Sequence, residues 1–523
     1  MARSGLLRPV TGGAIAHPLP ARWDAGRLTG RLIGGPAERL AERLAGRGRW
    51  WLTPVLLLGC LVAGTLSALN SRMTLGACVG LGLMACVWAR PALAAYLIIG
   101  VTPLTAGIDR GLAVPLFRPS EALALLVGAA LAARGLARLR TGAFPRLRPD
   151  QVELSMIFLA VTSSAVPLLW MLVRQRTITH DDLLYALVMW KYLGLYVIVR
   201  VSVTTLPQVR RCLWVSVAAA CVVAVIAVLQ SLGLFGVPRL LATYYAPFGH
   251  TGALEHARGS STLALPAATA DLMIYNLAIT TGLMMRGSRY RSLLIVASTL
   301  LVLGALSAGE FSSALGLFVA ILCIAAVTSM PRLLAYFVLA GAIASQVLRP
   351  VIDQRLRGFR SVSGLPVSWT GRLRNLRTYF WPQVFSDWNV LFGVRTSARI
   401  PVASQATGYV WIESGYTWLL WGGGIPLMAS FVFFVQAAAR RGWQAARRSN
   451  DATSVAGIAT FVAVIVTTIL MVFDPHLTYR GAAEAFFALL ALAIRRPAAA
   501  PGGAPEPTAP EPGSGNRVRE GVS

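Results

Sequence analysis

Apolar stretches of membrane-crossing length recur along almost the whole chain, and this limits what it can become. A bilayer core of about 30 Å calls for roughly 20 predominantly apolar residues per helix. Fourteen stretches near that length can be marked, at 50–69, 73–89, 91–108, 119–136, 152–173, 182–203, 209–235, 265–286, 291–308, 310–328, 331–348, 409–438, 453–474 and 479–495. Of the 523 residues, 56% are hydrophobic and 13% charged, more apolar surface than a water-soluble core could bury. The expected fold is all-α: a polytopic integral membrane protein with about 12–14 transmembrane helices and one large external loop.

Charge orients the spans. An N-terminus in the cytosol puts Arg134, Arg138, Arg140, Arg210, Arg211, Arg286, Arg289, Arg440, Arg441, Arg495 and Arg496 all inside, as the excess of arginine in cytoplasmic turns requires. Both termini are then cytosolic, and four histidines (180, 250, 256 and 476) fall outside with residues 349–408. The expected organisation is a cytosolic Arg-rich segment 1–49, a transmembrane bundle 50–348, an external Arg-rich loop 349–408, C-terminal transmembrane helices 409–496 and a disordered cytosolic tail 497–523. The formal charge of +27 follows from this topology. Nucleic-acid binding is not expected, because such domains concentrate charge on polar folds. All six cysteines lie in apolar runs, so neither a disulfide framework nor a cysteine metal site is expected.

The external loop departs from the rule. From Arg349 to Thr407 it carries nine arginines against Asp353 and Asp387, nine minus two giving seven net positive charges. Loops near this length escape the topogenic rule, which is one account. The other is a cradle for a polyanion, since guanidinium forks match phosphate oxygens bidentately. Within the loop, Trp381, Val384, Phe385, Trp388, Leu391 and Phe392 recur at helical spacing and predict an amphipathic helix in the headgroup layer, holding Arg372, Arg374 and Arg377 at phosphate depth.

Tyr409 to Trp421 reads as a helix of 13 residues, about 20 Å long and too short to cross, before Gly422-Gly423-Gly424 and Pro426 interrupt it. Its spacing puts Glu413 on one face between Tyr409 and Tyr416, a surface suited to sugar. Lys191, the only lysine, lies in mid-span and must face a cavity or a partner such as Glu153 or Asp271. His180-Asp181-Asp182 cannot close a metal site alone and reads as a helix start.

The order of these features resembles the O-antigen ligase/polymerase superfamily of bacterial envelope enzymes, over most of the chain from Arg118. Arg118-Pro-Ser-Glu resembles the early Pro-Ser-Asp-Leu span of that family, and Arg258-Gly-Ser-Ser-Thr-Leu-Ala-Leu-Pro its Arg-x-x-Gly-Thr-Phe-x-x-Pro step. Val351-Ile-Asp-Gln-Arg355, Thr370-Gly-Arg372-Leu-Arg374 and Val390-Leu-Phe-Gly393 resemble its external loop, and Glu413-Ser-Gly-Tyr416 to Gly424-Ile-Pro its Asp-x-Gly-Tyr…Gly-Gly-Ile helix. Glu413 stands where ligase members carry a histidine, and Glu310 where many members carry an arginine.

The resemblance implies a metal-independent glycosyltransferase of the inner or plasma membrane that needs no cofactor. Its donor would be an undecaprenyl-pyrophosphate-linked glycan, its acceptor a glycan or lipid, and its partners could include a chain-length regulator. On that reading Glu413, Arg372 and Arg374 are catalytic, while Arg258, Arg355, Arg377, Arg395, Tyr416 and Lys191 contact substrate. Two competing expectations are a lipid-linked oligosaccharide flippase or exporter and a non-catalytic envelope-assembly scaffold.

Overall fold

The computed structural model describes residues 71–112, 114, 117–139, 149–245, 258–329, 332–350, 352–353, 367–403, 408–448 and 450–494. The span at 50–69, Arg355, His250, His256 and the tail from 497 lie outside the described residues. The chain divides into Met1–Val79 and Gly80–Ser523; apart from residues 71–79 at the start of α1, the described residues belong to the second unit.

The helices are α1 (Ser71–Ala89), α2 (Ala92–Thr105), α3 (Pro119–Leu139), α4 (Gln151–Val173), α5 (His180–Ser202, broken at Leu187), α6 (Leu206–Ser231), α7 (Val237–Tyr245) and α8 (Pro266–Met285). They continue as α9 (Arg291–Ser307), α10 (Phe311–Thr328), α11 (Arg332–Val347), α12 (Val367–Asn375), α13 (Gly415–Arg448), α14 (Ala452–Leu470) and α15 (Ala482–Ala493). Seven of them, α3, α4, α5, α6, α10, α13 and α14, are long and apolar enough to cross a membrane. Every apolar stretch expected from residue 73 onward coincides with a helix, to within a few residues except at the two ends of α13.

Packing is organised around α8 and α15. Every residue from Ala267 to Leu283 in α8, and every residue of α15, is buried, as expected of helices apolar on all faces. Small residues bring the outer helices close. A Cβ on Gly457 of α14 would lie 2.6 Å from the Ala446 nitrogen of α13, so only glycine permits that approach.

Helix ends meet in two sets. At one end Arg134 donates to the Trp88 carbonyl, Arg441 meets Asp150 at 2.6 Å and Arg286 reaches the Ala446 carbonyl at 3.0 Å. At the other, Gly107 donates to the Thr262 carbonyl at 2.9 Å, Gly259 to that of Ser307 at 2.9 Å and Gly415 to that of Met471 at 2.7 Å. Each contact joins residues that an up-and-down passage of successive helices places at the same end. The loop segments 367–403 and 408–414 all belong to the second end.

Those segments differ from the expected form in two ways. The aromatic stripe is not one helix. Asp387 adopts a left-handed φ of 49°, splitting Trp381–Val384 from Asn389–Phe392. The cause is buried Asn389, whose side chain accepts from Trp170 Nε1 at 3.0 Å and from Arg174, and donates to the Gln383 carbonyl at 2.7 Å. Phe385 and Trp388 are left exposed at 66% and 63%, while Val384 packs inward.

Nor is Tyr409 helical. Tyr409–Trp411 is strand β2, paired antiparallel with β1 (Arg399–Pro401), so the all-α expectation needs this one amendment. Alternation favours it: Val410 is buried, while Tyr409 and Trp411 share the other face and take the Arg399 guanidinium at 5.2 and 5.1 Å from their ring centres. Helix α13 therefore starts at Gly415. It is interrupted as expected, with Gly424 at φ 64°, where a Cβ would meet the Leu391 carbonyl at 2.4 Å.

One buried carboxylate fastens these segments to the bundle. Asp182 has no exposed surface and caps α5 together with Thr179. It accepts from Arg395 Nε at 3.0 Å, Arg395 Nη2 at 2.5 Å and the Ser397 N–H at 3.1 Å. Arg395, expected to contact substrate, thus neutralises with its guanidinium a carboxylate that would otherwise be buried alone. Asp181, whose side chain is itself exposed to solvent, takes Arg399 at 2.9 Å. Replacing Asp182 with alanine should leave Arg395 unpaired, cost about 3 kcal/mol and free the loop to proteolysis; thermal unfolding and limited proteolysis of the detergent-solubilised protein check this.

Candidate functional site

At the loop-bearing end, segments carrying Asp474, Glu413 and Glu310 converge on the Arg372 guanidinium, and Arg258 faces Glu310. Arg372 comes from the last turn of α12. Glu413 lies in the link between β2 and α13, Asp474 in the turn between α14 and α15, and Glu310 at the start of α10. Arg258 leads into the turn Ser261–Leu263 that precedes α8.

The Arg372 Nη1 donates to Asp474 Oδ2 at 2.6 Å and to the Phe473 carbonyl at 3.3 Å, while its Nε lies 3.7 Å from Glu413 Oε1. Asn375, one turn along α12, donates to Glu413 Oε2 at 3.2 Å and fixes the carboxylate from its other side. Arg258 faces Glu310 at 4.0 Å. The Glu413 side chain is 31% exposed and that of Asp474 11%. Glu413 is thus the carboxylate an incoming molecule could reach, and Asp474 the one that braces Arg372 from below.

Behind Asp474, His476 is fully buried with Nδ1 2.7 Å from Asp271 Oδ2. Its Nε2 and Asp271 Oδ1 have no hydrogen-bond partner among the described residues, and the ring packs on Tyr479 with centroids 4.7 Å apart. Burial lowers the His476 pKa, but the carboxylates of Asp271 and Asp474 outweigh it and the net shift is upward. Burial also lowers that of Arg372, which Asp474, Glu310 and Glu413 reverse. For Asp474 burial wins over the opposing pull of Arg372 and His476, pushing the carboxyl up to about 6.

Of the residues singled out in the sequence, Arg372 and Glu413 come together and Arg258 lies across Glu310 from them. The others part company. Arg374 and Arg377 are exposed and make no ion pair among the described residues. Tyr416 donates its hydroxyl to the Thr468 carbonyl at 2.8 Å, bracing α13 against α14, and packs edge-on against Phe431. Glu413 does not share a helix face with Tyr409 and Tyr416, because it precedes the helix. Lys191 pairs with Glu484 at 2.7 Å, not with Glu153 or Asp271, which are taken by Arg200 and His476. The described site is therefore richer in carboxylate than in guanidinium.

Asp474, His476 and Asp271 were missed. The signals were there: an Asp-Pro-His interruption between two apolar stretches, and an aspartate inside a third. Comparison with protein-family models, with curated proteins and with solved structures finds no match to this chain.

Raising the folded pKa of Asp474 above the ordinary carboxyl value of about 4 means that its contribution to stability is complete below that pH and is lost as pH rises through about 6. Asp474→Asn should remove this component. Unfolding temperature plotted against pH across that window should fall less steeply for the variant than for the wild type.

Proposed function

We propose that the chain is a glycan polymerase or ligase, joining polyprenyl-pyrophosphate-linked oligosaccharides to an acceptor sugar on the outer face of a membrane, as in O-antigen or exopolysaccharide synthesis. The observation that carries this reading is the approach of Arg372 to Glu413 at 3.7 Å at the loop-bearing end. The motif order that resembles the ligase/polymerase superfamily supports it. On this reading 12–14 helices cross, the shorter ones included, the loop end is external and both termini are cytosolic.

Bond formation between the acceptor hydroxyl and the anomeric carbon expels a pyrophosphate. Arg372 meets the negative charge growing on the departing phosphoryl oxygens, and Arg258 supplies a second cation from across Glu310. Glu413 accepts the hydroxyl proton or orients the acceptor, held by Asn375. Exposed Arg374 and Arg377 draw the polyanion in from the outer side, and exposed Phe385 and Trp388 set the depth of the segment in the headgroup layer.

A second reading has its own observation. The buried Asp271–His476 pair inside a helix bundle is what a proton-coupled flippase or exporter would also need. Purified protein incubated with a defined polyprenyl-pyrophosphate oligosaccharide separates the two. A product ladder indicates a polymerase and a single transfer to a separate acceptor a ligase; unchanged donor would overturn both and favour transport. Under the proposed function Glu413→Gln should slow joining by about 100-fold and Arg372→Ala by about 100-fold or more, while an unaltered Glu413→Gln rate would remove it as proton acceptor.

A further inference from the structure

The end of the bundle opposite the loop has a charge pattern of its own, and one part of it is unbalanced. The carboxylates described at that end are Asp150 and Glu153 at the start of α4 and Asp451 at the start of α14, and each is engaged. Asp150 takes Arg441 at 2.6 Å, Glu153 takes Arg200 at 2.5 Å, and Asp451 accepts from the Thr453 and Ser454 N–H groups at 2.9 and 3.2 Å. Elsewhere at the same end, the start of α6 and the turn from α8 to α9 bring Arg210, Arg211, Arg289 and Arg291 to the surface. All four are exposed, and none makes an ion pair among the described residues.

An aromatic pair joins the two segments. Trp214, one turn beyond Arg210 and Arg211 on α6, packs edge-on against Tyr290 with ring centres 5.8 Å apart. Tyr290 in turn lies under the Arg289 guanidinium, 4.7 Å away, and accepts a hydrogen bond from it. Further along both helices the outward side chains are apolar. Val222 and Val225 of α6 recur at helical spacing from Trp214 and are exposed, as are Leu293 and Val296 on one face of α9. Another face of α9 is covered by α11, whose Tyr336 donates to the Ile295 carbonyl at 3.2 Å and meets the Thr299 hydroxyl at 3.2 Å.

Membrane topology asks for arginine in the turns at one end of a bundle. It does not ask for four of them without a carboxylate partner, nor for an aromatic pair one turn below. Grouped like charges repel, and an anion between them removes that cost. A soluble anion would leave the apolar side chains unused, whereas a phospholipid uses every layer: phosphate at the guanidinium forks, glycerol at the depth of tryptophan and tyrosine, and acyl chains along the exposed valines and leucine. We propose that the surface between the start of α6 and the α8–α9 turn is a binding site for an anionic phospholipid of the adjoining leaflet, with Arg210, Arg211, Arg289 and Arg291 holding its phosphate and Trp214 and Tyr290 its glycerol region.

The test measures binding of phosphatidylglycerol, phosphatidylcholine and inorganic phosphate to the full-length chain in detergent by native mass spectrometry, with thermal unfolding to establish that each variant is folded. Phosphatidylglycerol should bind in preference to phosphatidylcholine, and less tightly as salt is raised. At about fivefold per arginine, the double variant Arg289→Gln with Arg291→Gln should weaken it by about 30-fold. Arg440→Gln, Arg447→Gln and Arg448→Gln combined, at the same end but on α13, form the control and should leave it unchanged. An equal loss in that control means diffuse attraction to the whole basic end and overturns the site. Wild-type affinity in the folded double variant overturns it too, as does equal binding of phosphatidylcholine or retention of inorganic phosphate as tightly as the lipid. No glycan enters these measurements, so the lipid site stands or falls apart from the joining reaction.

Discussion

An ionised group among apolar helices survives only if partners come to it, and in this chain that constraint shapes the loop-bearing end. Asp182 is the clearest case. It caps its own helix and, having no exposed surface, draws Arg395, Thr396 and Ser397 onto itself. That docking sets where β1 begins, and β1 in turn holds β2, with Arg399 wedged between Tyr409 and Trp411. The link that follows β2 delivers Glu413. The position of the most accessible carboxylate in the site is thus set by a buried carboxylate elsewhere in the bundle.

The same rule explains why an Arg-rich loop is not a uniformly cationic surface. Arg395 and Arg399 are consumed by Asp182 and Asp181, and Arg372 is shared between Asp474 and Glu413. Arg374 and Arg377 remain at the surface. Charge counted along a sequence measures what is available before folding, and pairing decides what is left to meet a ligand.

Helix positions were legible in the sequence because a bilayer imposes one length on every crossing, and apolar runs bounded by arginine mark it without reference to tertiary contacts. The break at Gly423-Gly424 was legible for a similarly local reason: few residues other than glycine adopt that backbone. What failed were inferences from periodicity in the loop. Trp381 to Phe392 has helical spacing, yet the demand of buried Asn389 for Trp170, Arg174 and Gln383 splits it. Tyr409 to Tyr416 has it too, but pairing with β1 removes its first half from the helix. Of the site, Arg372 and Glu413 were readable from their chemistry. Asp474, His476 and Asp271 were not, because their importance lies in meeting across three apolar segments, which no local pattern records.

On balance the resting site opposes a polyanion. Arg372 stands beside Asp474, Glu413 and Glu310, so a diphosphate that reached it would meet more carboxylate than guanidinium. The resolution lies in the unequal burial of these carboxylates. Asp474 is the most enclosed of the three and its carboxyl is pushed up to about 6, so at neutral pH it gives up its charge at less cost than an ordinary carboxylate. Under the proposed activity, proton uptake there would release Nη1 of Arg372 from its 2.6 Å partner and leave that place to a phosphate oxygen. The ion pair that quenches Arg372 at rest is also the device that can hand it over.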